Sequence, residues 1–131
     1  MGSERRNRVI NEIHKAGFVG EYDHSCPYFL RNDRIARAKV QLNIKQDDKF
    51  SHVNTMRVCY LANNRCYTLS EVENDPVGYL AYADSTEALV GAIGEAVESG
   101  SWKHKAEQYA EEYRKITMKS VMEELLEKTF A

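Results

Sequence analysis

Stretches with helical spacing of apolar residues alternate along this chain with short apolar runs of β type. That alternation points to folds in which helices cover a parallel sheet. Ser3 is a good N-cap, and Val9, Ile10 and Ile13 recur behind it until Gly17 supplies a stop, which predicts a helix over residues 4–16. Phe18 to Tyr22 reads as a short strand entering a polar loop that ends at Cys26-Pro27. Arg31 to Arg37 reads as a short helix, Val40 to Ile44 as a strand, and Lys45 to Lys49 as a loop. From Asn54 onward Met56, Val58, Cys59, Leu61 and Ala62 suit a buried helix, ended by Asn63-Asn64 because asparagine tolerates left-handed backbone. Cys66 to Leu69 reads as a short buried strand, and a further strand is expected from Tyr79 to Tyr82. Asp84-Ser85-Thr86-Glu87 offers an N-cap with an acid three positions later, opening a helix over 85–98 that Gly100 stops. Tyr109, Tyr113, Ile116, Val121, Leu125 and Leu126 then predict one or two surface helices over 102–129.

The expected architecture is a Rossmann-like, three-layer α/β domain with a short parallel sheet and a helical C-terminus. Its 131 residues, 43% apolar and 29% charged, accommodate one domain over 1–131 and no second. Such a unit normally opens on a buried strand that feeds the first phosphate-binding turn, whereas this chain opens at the turn. Either that first strand has been lost, or a partner chain supplies it, or the sheet is shorter than the norm.

Charge narrows the function classes. Eighteen Lys and Arg against twenty Asp and Glu give a net −2, so no overall positive field favours a nucleic-acid backbone. Residues 1–40 are mildly basic, with eight cationic and five acidic side chains, and 41–131 are acidic, with ten against fifteen. No run of eighteen apolar residues suggests a membrane span, and Met1 to Arg6 opens into polar sequence unlike a signal peptide, so a soluble, cytoplasmic protein is expected. Three cysteines, Cys26, Cys59 and Cys66, are too few and odd in number for a disulfide framework, and reduced thiols follow.

Several residues carry possible chemistry. Backbone amides at Gly2 and Ser3, at the start of the first helix, form a place for an anion such as a diphosphate, to which Arg5 and Arg6 add charge-assisted contacts. The same features read structurally as a capped helix with solvated arginines. Arg57 stands near the start of an otherwise apolar helix, either as a ligand contact or in an ion pair with Glu71. Ser70 and Glu71 follow a buried strand at the carboxyl edge, where open parallel sheets bind ligands. Glu73 and Asp75 are spaced like metal ligands but read as an ordinary acidic loop, and Asp47-Asp48 lacks the strand end that a phospho-receiver site needs. His24, Cys26, His52, Cys59 and Cys66 do not form the paired short spacing of a zinc site, so no metal is expected.

Arg37 to Ile44, Asn54 to Asn64 and Leu69-Ser70-Glu71, taken in order, resemble the C-terminal, donor-binding half of family 1-type glycosyltransferases of the spore-maturation-protein kind. The opening Gly2 to Arg6 and the helix from Asp84 to Ser99 fall where that half-domain has corresponding features. The resemblance implies a half of a two-domain enzyme in which a nucleotide-sugar donor lies between two Rossmann-like halves, with no further cofactor. It implies donor contacts at Gly2, Ser3, Arg6, Asn54, Arg57, Ser70 and Glu71, with Arg57 and the amides at Gly2 and Ser3 neutralising the diphosphate. Where the family usually has a Glu three residues before the central arginine, this chain has Asn54, which can hydrogen-bond a hydroxyl but cannot act as a base. Binding is therefore expected ahead of catalysis, with an acceptor-binding half supplied by another chain. The alternative is a non-catalytic, self-associating interaction module, since an exposed sheet edge or uncovered cleft wall must be hidden.

Overall fold

The computed structural model describes residues 3–21, 26–49, 52, 54–73 and 80–130. Helix α1, Glu4–Lys15, starts where the Ser3 hydroxyl accepts from the Arg6 amide and buries Val9 and Ile13. It ends as the amides of Gly17 and Phe18 turn back to His14 and Ile13, with Gly17 at φ +89°, a backbone that favours glycine. The strand expected next does not form over its described part, 18–21. Phe18 instead packs on the core while Val19 is 90% exposed, so the alternation there belongs to a loop hung from α1.

Helix α2, Tyr28–Arg37, begins directly behind Pro27, three residues earlier than expected. Strand β1, Gln41–Asn43, leads through the crossover to α3, Thr55–Asn63, which the Asn54 side chain caps by accepting from the Arg57 amide. The left-handed residue after α3 is Arg65, at φ 54°, rather than either asparagine, because the chain turns one residue later. Strands β2, Thr68–Ser70, and β3, Ala81–Tyr82, follow; Tyr79 lies outside the described residues. Helix α4, Thr86–Glu98, is capped by Ser85, whose hydroxyl accepts from the Ala88 amide. Asp84 thus stands one position before the cap. Two further helices complete the chain, α5, Trp102–Arg114, and α6, Met118–Phe130.

The architecture among the described residues is mixed α/β, with six helices and a three-stranded sheet in the order β1-β2-β3, every pairing parallel. Leu42 lies opposite Leu69, Asn43 opposite Ser70, and Ser70 opposite Tyr82. β2 is central and wholly buried, the pattern of a strand covered on both faces. Leu69 joins Val9 and Ile13 of α1, Leu89, Ile93 and Ala96 of α4 and Ala106 of α5 in the main core. A smaller cluster joins Val58 and Ala62 of α3 to Leu80, Tyr109 and Tyr113.

Parallel pairing puts the carboxyl ends of all three strands on one edge, at Ile44, Glu71 and Ala83. The first turn of α1 reaches that edge, since Arg5 bonds the Lys45 carbonyl and Glu71 while Arg6 Nε bonds the Ile44 carbonyl. α3 leaves β1 and α4 leaves β3 on the same side, so three helix N-termini gather there.

Candidate functional site

The centre of this edge is an ion pair. Glu71 is the first residue beyond β2, and its amide continues the ladder by donating to the Asn43 carbonyl at 3.1 Å. Its side chain is 3% exposed, so its charge needs fixed partners. Arg5 supplies them in a fork, with Nη1 at 2.5 Å from Oε2 and Nη2 at 3.0 Å from Oε1. The Lys45 amide adds a third donor to Oε2 at 3.1 Å. Arg5 Nε reaches the exposed Asp48 at 3.0 Å, so one guanidinium joins α1, the loop after β1 and the end of β2. The bond to Glu71, aided by Asp48, raises the Arg5 pKa against the opposing effect of burial.

Ser70 is fully buried beside this pair. Its hydroxyl accepts from the Val72 amide at 3.0 Å and from Asn43 Nδ2 at 2.9 Å. It therefore closes a turn around the end of β2 and ties β2 to β1. Ser70 and Glu71 sit at the edge where parallel sheets bind ligands, as the sequence leads one to expect, but both face inward and hold the edge in shape.

The other expected residues divide between two helix starts. Ser3, half-buried, caps α1, and Arg6 is half-buried against Ile44. Gly2 lies outside the described residues, as do His24 and Asp75. Asn54 and Arg57 form the exposed first turn of α3, where the β1 crossover opens at the carboxyl edge. Met56, in the same turn, is 84% exposed. The expected ion pair between Arg57 and Glu71 does not form, because Arg5 occupies both carboxylate oxygens of Glu71.

Sequence reasoning missed the clamp. Arg5 is separated from Glu71 by sixty-six positions, and no sequence motif links the two. The available signal was register: on a helix capped at Ser3 with Val9 and Ile13 buried, Arg5 lies four residues before Val9 and hence on the buried face. Asp48, set aside with Asp47, is the clamp's outer arm.

Among the described residues no group of three or more His, Cys, Asp or Glu side chains could hold a metal ion, and no helix is long and apolar enough to cross a membrane. At the edge the ion pair of Arg5 with Glu71 is buried, and Asn54 and Arg57 are exposed at the start of α3. No family model, no curated protein and no solved structure matches this chain.

Proposed function

We propose that this chain is a Rossmann-like nucleotide-sugar-binding domain of glycosyltransferase type, which holds the donor's diphosphate against the first turn of α3 and relies on another chain for the acceptor. The observation that carries the reading is the placement of Asn54 and Arg57. They lie together and exposed on the helix that leaves β1 at the carboxyl edge, the location at which open parallel sheets bind nucleotides. The amides of that first turn and the helix dipole favour an anion, and Arg57 adds a charge-assisted contact. Asn54 Oδ1 is committed to the cap, which leaves Nδ2 to donate to a ribose or sugar hydroxyl.

The clamp has a part in this reading. A diphosphate site needs a floor that does not move as the anion arrives, and Arg5 with Glu71 and Lys45 fixes the β1 and β2 ends together. Stabilising a departing nucleoside diphosphate is the electrostatic part of glycosyl transfer, and the site would contribute that part alone. With Asn54 as an amide and Glu71 committed to Arg5, neither is placed as a base.

A thermal-shift screen against nucleoside diphosphates and their sugar conjugates tests the reading, because a ligand that binds only the native state raises the melting point. One nucleotide is expected to give a selective rise. Arg57→Ala should weaken its binding by about 1.5–3 kcal/mol, the range for a hydrogen bond to a charged group. Unchanged affinity in a folded Arg57→Ala protein, or no shift with any nucleotide at millimolar concentration, overturns the proposal.

A further inference from the structure

Helix α2 buries none of its residues, yet one of its faces is built against α3. The Tyr60 hydroxyl donates to Asn32 Oδ1 at 2.7 Å, and the Arg31 guanidinium stands 4.7 Å from the centre of the Tyr28 ring and 5.8 Å from that of Tyr60. Arg31 and Asn32 follow Tyr28 at helical spacing, so all three lie on the face of α2 that meets α3. A guanidinium held over an aromatic face fixes the plane of the ring as well as its place. Tyr28 is 66% exposed even with that cation beside it, which leaves surface for a second planar group.

Gln41, the first residue of β1, sets the direction of both helices. Its amide donates to the Tyr67 carbonyl just beyond α3, and its Nε2 donates to the Ile35 carbonyl near the end of α2. Both helices therefore finish at the amino edge of the sheet and run side by side in the same sense. From the bonded pair Asn32 and Tyr60, one turn back along each helix reaches Tyr28 on α2 and Met56 on α3. Tyr28 thus comes level with the first turn of α3, toward the carboxyl edge. Met56 stands out there at 84% exposure.

We propose that Tyr28 is the platform on which the base of the bound nucleotide stacks, with Met56 against the edge of the base; this rests on the nucleotide-sugar reading above. A diphosphate at the first turn of α3 and a base on Tyr28 occupy neighbouring places along one flank of the sheet, with the ribose between them. An aromatic ring and a base attract through apolar contact and stacking, and every base offers a planar face. The platform therefore adds affinity and leaves the choice of base to other groups. The ring carries the interaction, and the Tyr28 hydroxyl has no part in it.

Titration calorimetry with the nucleoside diphosphate that gives the largest thermal shift tests the assignment. Tyr28→Ala should weaken its binding at least about 5-fold, the lower end of what one stacked base contributes, and Tyr28→Phe should bind as the parent does. Because α2 buries no residue, both variants should keep the cooperative melt of the parent. Unchanged affinity in Tyr28→Ala overturns the proposal, as does an equal loss in Tyr28→Ala and Tyr28→Phe. A loss confined to the sugar conjugate, with the plain nucleoside diphosphate bound as tightly as by the parent, puts the sugar on the ring and overturns it too. Nucleotide binding that depends on Arg57 and not on Tyr28 sinks this assignment alone, whereas a protein that binds no nucleotide sinks the nucleotide-sugar reading with it.

Discussion

The clamp between Arg5 and Glu71 makes the sharpest stability prediction. Arg5→Ala removes two donors from a carboxylate that is 3% exposed and leaves it with the Lys45 amide alone. Removing one member of a buried pair costs about 3–5 kcal/mol, because the remaining charge is buried without compensation. Arg5 is itself 19% exposed, so water can enter after truncation and the loss should fall at the lower end, about 3 kcal/mol. That is a large share of the roughly 5–15 kcal/mol that holds an ordinary domain together. Asp48→Ala deletes the other ionic partner of Arg5, but Asp48 is 88% exposed, and its loss should cost under about 1 kcal/mol. Arg5→Met combined with Glu71→Leu removes both charges and should recover most of the deficit, since apolar replacement of a buried pair is often neutral. Urea unfolding at pH 7, followed by circular dichroism, measures all of these. The native Arg5 pKa is raised, so its stabilisation is fully present below the ordinary guanidinium value and is lost only above it. Alkaline titration from pH 7 to 9 should accordingly leave this deficit unchanged. An Arg5→Ala protein within about 1 kcal/mol of the parent, or a double variant no more stable than Arg5→Ala, would refute the reasoning.

Three further outcomes follow from single residues. Asn54→Ala should cost about 1 kcal/mol by removing the α3 cap, whereas Asn54→Asp should keep the cap yet weaken nucleotide binding by placing a carboxylate beside the diphosphate; parallel urea melts and titration calorimetry separate the two effects. Gly91 sits inside α4 with nothing within 4 Å of an added Cβ, so Gly91→Ala should stabilise by about 0.5–1 kcal/mol in the same melts. Burial pushes the Cys66 thiol above its ordinary 9.0, and burial foremost pushes the Tyr67 phenol above its ordinary 10.0, with Lys105 opposing. Both are neutral in the fold, so their contribution is fully present below those unfolded values and is lost as pH rises through the folded ones. The melting temperature should therefore fall above about pH 9, and Cys66→Ala should flatten the first part of that fall.

What the sequence made legible was set by local physics. The cap at Ser3, the stop at Gly100 and the apolar spacing of α1, α3 and α4 are each determined within a few residues, and the structure places those elements within a residue or two of expectation. Phe18 to Glu21 misled because a loop that packs one aromatic ring on the core shows the same short alternation as a strand. Pairings across the chain were beyond that reach. Glu71 needed a cation, and both Arg5 and Arg57 were available, each near the start of a helix. Geometry decides between them. Val9 and Ile13 turn the Arg5 face of α1 onto the end of β2, whereas Arg57 stands on the exposed first turn of α3, one residue before the buried Val58. Arg5 takes that carboxylate and, with the Lys45 amide, fixes the ends of β1 and β2 together.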